Sequence, residues 1–263
     1  MRAYDSGESV ESEIQLSKGL LIEKGSMLSD VHCHLDLFEN PGHAVKKAIE
    51  DGVGIMVTAG TDMKSSMRVL ELARGPNVYG VIGIGPDAAS SDYKAVDGIE
   101  ALLKSNKNII GIGEVGLDRK IAENVGMKVQ AKVFERQVEI AASLDVPLVI
   151  HSRMAIDDVI GIISEHAVKK AVFHFFEGSE EQAKKVEKMG YLISIPPIES
   201  GRMKRIIKDV DVGTIVSETD SPVVGKSPAA VKYVVEKIAE LKGMTFNDAG
   251  EGITETIKDY FYI

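Results

Sequence analysis

Short runs of apolar, β-branched residues alternate along the chain with longer stretches in which apolar residues recur at helical spacing. Eight short runs follow one another from residue 28 onward, separated by polar or glycine-rich residues. They predict buried strands at residues 28–33, 54–59, 78–85, 109–115, 147–152, 171–175, 191–195 and 214–219. Helical periodicity predicts helices at residues 43–51, 63–74, 93–105, 129–144, 156–166, 179–189, 202–208, 228–241 and 248–260.

The regular order of strand and helix indicates parallel strands joined by crossover helices. Eight such units favour an α/β fold of the closed (β/α)8 barrel (TIM barrel) type in a single domain, with a doubly wound open sheet as the alternative. Residues 28–263 contain no low-complexity tract or linker and are predicted to form this barrel. Residues 1–27 are richer in Ser, Glu and Gly, and we interpret them as an N-terminal extension, either an arm or an extra strand.

Composition places the chain among ordinary globular proteins, with 44% hydrophobic and 27% charged residues. A formal net charge of −9 argues against nucleic acid or anionic membrane as partners selected by overall charge. The single cysteine excludes an internal disulfide framework. No apolar run approaches the ~20 residues of a membrane helix, and the first residues do not show a secretory signal pattern. We therefore predict a cytoplasmic protein that does not bind membranes.

Four of the six histidines fall at the carboxyl ends of predicted strands. His32 and His34 are two residues apart, so on a strand both side chains point to the same side. His151 and His174 each follow an apolar strand. Any one of them alone is more typical of an ordinary core or surface histidine than of a ligand. Because the carboxyl ends of barrel strands meet at one mouth, the four together indicate a metal site there.

Two carboxylates extend this set. Glu114 ends the fourth predicted strand beside glycines, and Asp220 follows the eighth; the alternatives are a solvated loop acid and a turn residue that caps its own backbone. Imidazoles with carboxylates suit Zn, Mn, Fe or Ni better than Ca. Six ligands exceed what one tetrahedral ion can use, so two metals with Glu114 as a bridge are predicted. This set predicts hydrolysis, in which Asp220 orients a water molecule and takes its proton.

Five motifs occur in a fixed order over residues 28–222: DVHCHLD at 30–36, GEVGLD at 113–118, PLVIHSR at 147–153, HFFEG at 174–178 and ETDSP at 218–222. In these motifs the chain resembles the TatD family of metal-dependent hydrolases, within the amidohydrolase-type barrels. The resemblance implies a (β/α)8 barrel, two divalent metal ions (Zn, Mn or Mg) and nuclease activity on DNA, often from the 3′ end. It implies metal-ligand roles for His32, His34, Glu114, His151, His174 and Asp220.

The residues expected around the substrate depart from the family pattern. The family's GxHPH reads GIGPD at 83–87, so two histidines are absent and Asp87 adds negative charge. The family's HCFSG reads HFFEG at 174–178, which adds Glu177, and Arg119 stands where an aromatic residue is usual. The metal-ligand residues implied by the resemblance are therefore all present, whereas the substrate-contacting residues differ.

Arg153 lies two residues beyond His151 and is predicted to face the mouth, where it would bind a phosphate or carboxylate of the substrate. The alternative for Arg153 is a salt bridge to a loop acid. A further basic run, at 202–208, would be spread around a helix and is predicted to be a solvated surface rather than a nucleic-acid groove.

Three functional hypotheses follow. The first is a two-metal hydrolase in which Glu114 and Asp220 take part in catalysis and which cleaves phosphodiester bonds at DNA 3′ ends. The second is a metal-dependent amidohydrolase or esterase that acts on a small amide, lactone or aminoacyl ester. The third is a metal-bound scaffold without activity, which no feature of the sequence favours.

Overall fold

Eight parallel strands, each hydrogen-bonded to the next in chain order, form the centre of the computed structural model, which describes residues 28–263. The predicted N-terminal extension, residues 1–27, lies outside the described residues. The strands are β1 Leu28–Cys33, β2 Val53–Ala59, β3 Val78–Ile82, β4 Ile109–Asp118, β5 Leu148–Arg153, β6 Ala171–Phe173, β7 Leu192–Ile195 and β8 Ile215–Ser217. The helices are α1 Pro41–Glu50, α2 Met63–Leu72, α3 Ile99–Ser105, α4 Met127–Leu144, α5 Ile156–Glu165, α6 Glu180–Lys188, α7 Gly201–Asp209, α8 Val231–Lys242 and α9 Phe246–Phe261.

Hydrogen bonds across the seam between β1 and the segment after β8 close the sheet into a barrel. The backbone N–H of Asp220 donates to the carbonyl of His32 at 2.9 Å, and the N–H of His34 donates to the carbonyl of Ser221 at 2.7 Å. A doubly wound open sheet would leave its first and last strands apart. The predicted (β/α)8 barrel is therefore confirmed, and the open-sheet alternative is wrong.

The strands are buried on both faces, which explains their nearly continuous apolar sequences. Every residue of β1, β2 and β4 is buried. Side chains on one face fill the barrel interior, and those on the other contact the ring of helices. The apolar runs that predicted the strands are thus the residues that hold the two layers together.

Side-chain caps set the first residues of several helices. The Asp62 carboxylate accepts a hydrogen bond from the backbone N–H of Ser65, and the Ser65 hydroxyl accepts one from the N–H of Asp62. Ser179 and Gln182 form the same reciprocal pair before α6. These bonds satisfy N–H groups that the first helical turn leaves without partners. Accordingly α2 begins at its predicted residue and α6 begins one residue after its own.

The largest extension of a strand beyond its prediction affects the mouth. β4 was predicted to end at Val115, but it continues to Asp118. Gly116 has φ 143°, and a Cβ atom there would lie 1.9 Å from the carbonyl oxygen of His151 on β5. The glycine therefore marks a close approach of two strands, and the extension of β4 carries Asp118 to the mouth.

Two predicted helices also differ from the observed ones near their first residues. The predicted helix at 93–105 divides into a 3-10 helix, Tyr93–Gly98, followed by α3, and a 3-10 turn, Pro228–Ala230, likewise precedes α8. Among the described residues, no helix combines the length and the apolar character that crossing a membrane requires.

Candidate metal centre

Six side chains from the carboxyl ends of five strands meet in the mouth of the barrel. They are His32 and His34 at the end of β1, Glu114 on β4, His151 on β5, His174 after β6 and Asp220 after β8. His151 is half-buried and the other five are buried. The structure thus brings together every residue that was predicted from the sequence to be a metal ligand.

One oxygen of the Glu114 carboxylate faces a set of three side chains, which we call the first group: His32, His34 and Asp220. Glu114 Oε2 lies 3.3 Å from His32 Nε2 and 3.4 Å from His34 Nε2. Asp220 Oδ1 lies 3.2 Å from His34 Nε2 and 3.8 Å from His32 Nε2. The left-handed backbone of Asp220, with φ 48°, accompanies this return of its carboxylate towards β1.

The other oxygen of Glu114 faces the second group, His151 and His174. Glu114 Oε1 lies 2.9 Å from His151 Nδ1 and 3.0 Å from His174 Nε2, and these two nitrogens are 3.3 Å apart. The His174 ring also stacks on the His32 ring at a centroid distance of 3.9 Å, which places the two groups side by side. Glu114 therefore stands between two adjacent sets of donor atoms.

The spacing of these atoms fits divalent cations. Metal bonds of about 2.0–2.2 Å at tetrahedral angles place ligand atoms about 3.3–3.6 Å apart. The first-group contacts with Glu114 Oε2 and Asp220 Oδ1 span 3.2–3.8 Å. The Nε2 atoms of His32 and His34 also approach within 3.2 Å, with both rings turned towards the same point. Imidazole nitrogens and carboxylate oxygens together are ligands typical of Zn and Mn.

The pKa values of the centre reflect its mixture of buried carboxylates and imidazoles. Burial opposes the charge of Glu114, but the neighbouring histidines, His174 foremost, hold its pKa well below the ordinary value. Burial also disfavours protonated His34 and His151, yet nearby carboxylates raise the pKa of each to about 9. For His32, burial and the charge of His174 lower the pKa. An imidazole that binds a metal ion is neutral. Cation binding therefore has to displace protons from His34 and His151, whose pKa values are raised.

The Glu218 carboxylate lies next to Nδ1 of the His174 ring, whereas Nε2 of that ring faces Glu114. Glu218 is fully buried, and its Oε1 accepts a hydrogen bond from the backbone N–H of Phe175 at 2.8 Å. Its Oε2 accepts one from the Ser194 hydroxyl at 2.5 Å and lies 3.6 Å from His174 Nδ1. A carboxylate behind an imidazole orients the ring and turns its other nitrogen towards the ion. Glu218 stands two residues before Asp220, in the ETDSP motif at 218–222.

Two acids of the centre were missed from the sequence. Asp30, fully buried, accepts hydrogen bonds from the N–H and the hydroxyl of Thr219 at 2.9 and 2.5 Å. Asp118 lies 3.3 Å from His151 Nε2 through its Oδ2. Both stand at even spacing from predicted ligands on the same strand, two residues before His32 and four after Glu114. This even spacing is the feature of the sequence from which both acids could have been predicted.

The mouth is a cavity of about 530 Å³. Arg153 is the only lysine or arginine among the described residues of its wall, and it forms no ion pair within residues 28–263. Asp87 and Glu177 are exposed in the same wall. Arg119 does not reach the mouth, because its guanidinium pairs with Asp158 at 2.5 Å. The mouth therefore combines buried candidate ligands with an acidic rim and one arginine, Arg153, whose charge acts on the nearby Asp118 carboxylate.

Comparison with known proteins places these features in a family. The sequence profile of the family described as TatD related DNase matches residues 29–262. An uncharacterised metal-dependent hydrolase of Methanocaldococcus jannaschii is 30% identical, covering 89% of this chain and 93% of its own. The deoxyribonuclease TATDN3 of Homo sapiens is 29% identical, covering 90% and 95% respectively. The crystal structure of YjjV, a TatD homologue from Escherichia coli K12, superimposes with a TM-score of 0.85 at 21% identity over 92% of this chain and 100% of that one.

Proposed function

The chain belongs to the TatD family of metal-dependent hydrolases, and from this premise we propose that it is a two-metal deoxyribonuclease that removes nucleotides from the 3′ ends of DNA. The observation that carries the proposal is the position of Glu114, whose two oxygens face different sets of donor atoms. His32, His34 and Asp220 would hold one ion and His151 and His174 the other, with Glu114 shared between them. When bound, the ions supply Lewis acidity, lowering the pKa of water and polarising the oxygens of the scissile bond.

Asp220 is the residue proposed to move the proton. Its Oδ1 faces the first-group histidines, whereas its Oδ2 has no hydrogen-bond partner in the described part of the chain. Asp220 also belongs to the mouth wall, so Oδ2 can orient a water molecule there and accept its proton. Glu114, which is more enclosed by histidines, positions the two groups relative to each other.

Arg153 is proposed to bind the substrate phosphate. It is half-buried on β5, two residues beyond His151, and it is the arginine of the mouth wall. A guanidinium offers a planar pair of donors that matches two phosphate oxygens. Its charge would offset that of Asp87 and Glu177, which line the same wall.

The proposal is tested with single-stranded DNA carrying a 5′ label and protein loaded separately with Mg, Mn, Co or Zn. We expect a ladder that shortens from the 3′ end, whereas a phosphorothioate linkage placed at the 3′ end should block this shortening. Asp220→Asn and His151→Ala should reduce the rate roughly 10²–10⁴-fold, the contribution of a positioned base. An exposed histidine outside the centre, changed in His43→Ala, is the control and should leave the rate unchanged.

The second candidate is a metal-dependent amidohydrolase or esterase acting on a small amide, lactone or aminoacyl ester. The acidic rim formed by Asp87 and Glu177 favours it, since these residues add negative charge where a phosphate would approach. A mouth of about 530 Å³ also suits a small molecule. Turnover of such substrates with every DNA substrate left intact would overturn the nuclease proposal in favour of this one.

A further inference from the structure

A second cavity, of about 730 Å³, opens beside the mouth and shares Ser152, Arg153 and Glu177 with its wall. We call it the side cleft. Its wall includes Lys120, from the segment after β4, and Arg202, from the first turn of α7. Because the two cavities have wall residues in common, a chain molecule bound in the mouth can continue into the side cleft.

Most charged side chains of the side cleft that have no ion pair among residues 28–263 are positive. Lys120, Arg153 and Arg202 line it, and none of their side chains has an ion pair or hydrogen bond within residues 28–263. The fourth basic residue, Arg119, is neutralised by Asp158. Three cations of the wall therefore remain available to an anion.

Most acidic side chains of the side cleft already form hydrogen bonds or ion pairs. Besides Asp158, Asp157 accepts hydrogen bonds from Gln182 at 2.7 Å and from Lys185 at 3.2 Å. Glu177 is the one acid of the wall without a partner among the described residues, and it stands where the cleft joins the mouth. Three free cations thus face one free carboxylate, so the cleft attracts anions although the whole chain carries a net charge of −9.

Arg202 has different surroundings from Lys204 and Arg205, the other basic residues near it on α7. Lys204 pairs with Glu199 at 2.8 Å, and Arg205 pairs with Glu180 at 2.6 Å. These pairs agree with the solvated surface predicted for residues 202–208. Arg202 is the exception, since it faces the side cleft and has no acidic partner in the described residues.

Away from the side cleft, the wall of the mouth itself holds acidic and apolar side chains. It contains Asp36 and Asp87, together with Leu37 and Val223, whose side chains are exposed. Arg153 is the only lysine or arginine of the mouth wall in residues 28–263, and it lies on the border with the side cleft. Another cavity adjoins the mouth at Val224 and is lined by Lys226 and Lys232, but only the side cleft shares a basic residue, Arg153, with the wall of the mouth itself.

We propose that the side cleft binds the backbone phosphates of a single DNA strand as the strand leaves the mouth, with Arg153, Lys120 and Arg202 contacting them. This inference rests on the proposed nuclease function and extends it. In the proposed 3′-end reaction, the terminal nucleotide lies in the mouth near Asp36 and Asp87, and the rest of the strand lies in the side cleft. The protein should accordingly bind a strand by its end, and its affinity should rise with strand length.

Binding to a fluorescein-labelled oligo-dT of about a dozen nucleotides tests this, with phosphorothioate linkages that resist cleavage and metal-loaded protein. By fluorescence anisotropy, the double variant Lys120→Ala, Arg202→Ala should bind roughly tenfold or more weakly than the unchanged protein, because phosphate contacts are charge-assisted. The slope of log affinity against log salt should flatten by about 0.7 for each lost contact. For a labelled dinucleotide, which is too short to fill the cleft, the double variant should bind less than about twofold more weakly than the unchanged protein.

The matched control is Lys204→Ala, Lys208→Ala, which removes the same charge from α7 away from the side cleft. It should bind the oligonucleotide like the unchanged protein. Equal weakening in both double variants would overturn the inference, since only overall charge would then matter. If the unchanged protein cleaves DNA and the cleft variant binds normally, the inference fails alone. If the unchanged protein neither binds nor cleaves DNA, the proposed function fails with it.

Discussion

Asp30 is a carboxylate with no exposed surface, and it ties the first strand to the segment after the last one. Its Oδ1 accepts hydrogen bonds from the N–H groups of Thr219 and His32, and its Oδ2 accepts one from the Thr219 hydroxyl. Burial raises the pKa of Asp30, and the bonds from Thr219 oppose that rise. Since Thr219 precedes Asp220, this contact holds Asp220 against the histidines of β1.

We therefore expect Thr219→Val to weaken metal binding as well as folding. The substitution keeps the side-chain shape but leaves Asp30 Oδ2 without its donor, at a cost of about 1–3 kcal/mol in the free energy of unfolding. Zinc affinity, measured by competition with a chromogenic chelator, should fall because Asp220 is no longer fixed. Urea unfolding gives the stability change in parallel.

Thr254→Val serves as the comparison for that measurement. It removes a buried hydroxyl from α9, where Thr254 lies within hydrogen-bond distance of the Ser29 hydroxyl. It should lower stability by a similar amount and leave zinc affinity unchanged. Parallel losses of affinity in the two variants would mean that Asp30 and Thr219 only stabilise the fold.

At the scale of elements, β4 supplies both Glu114 and Asp118 to the mouth. It passes β5 in tight contact at Gly116, where the backbone is left-handed and the carbonyl of His151 occupies the space of a Cβ atom. The pairing of Gly116 with His151 sets the relative height of Glu114 and His151. The geometry of the second group thus depends on a residue that has no side chain.

Gly116→Ala should therefore damage both stability and the metal centre. The φ of 143° strains any residue with a Cβ atom, and the clash with His151 forces β4 away from β5. We expect a loss of roughly 2–5 kcal/mol in the free energy of unfolding and a reduced metal content, measured by urea unfolding and by mass spectrometry of the bound metal.

Gly161→Ala provides the contrast, because Gly161 is exposed in α5 and nothing lies within 4 Å of the position of its Cβ. There the substitution should stabilise the protein by about 0.5–1 kcal/mol, since alanine favours helix more than glycine does. Stability of Gly116→Ala equal to that of the unchanged protein would show that the approach of β4 to β5 is not tight.

Across the whole molecule, the candidate ligands connect five of the eight strands. Cations held by the two groups would act as cross-links between distant parts of the chain, including the seam where β1 meets the segment after β8. They would also offset buried carboxylates, which contribute to the net charge of −9. Metal binding should thus stabilise the folded barrel as a unit.

Removal of metal should consequently abolish hydrolysis and lower the unfolding temperature. Metal present at about 100 times its Kd stabilises the folded state by about 2.7 kcal/mol, which corresponds to roughly 5–10 °C for a domain of this size. Differential scanning calorimetry with a chelator, and again after zinc is restored, measures the shift. Glu114→Gln, which weakens both groups, should show a smaller response to the chelator; an equal response would exclude Glu114 from the metal centre.

The order of elements and most of the candidate centre could be read from the sequence, for a physical reason. Strand and helix periodicities are local, so all eight strands appear as apolar runs, and parallel closure brings their carboxyl ends together wherever the ligands stand along the chain. The even spacing of His32 and His34 is local in the same sense. For this reason the barrel and the meeting of its strand ends could be predicted without knowledge of any particular tertiary contact.

The tertiary structure decided what depends on neighbours far away in sequence. Asp118 reaches the mouth because Gly116 is pressed against β5, and Asp30 bonds to Thr219 across the seam. Arg119 pairs with Asp158, although the sequence placed it among the residues around the substrate. Arg202 has no acidic partner among the described residues, although it belongs to a run predicted to be a solvated surface. Burial and ion pairing are set by which segments come within a few ångströms of each other, and no local pattern encodes that. The sequence alone therefore determined the barrel and the candidate ligands at its mouth. Only the folded chain could show which cations beside the mouth have no ion pair among residues 28–263.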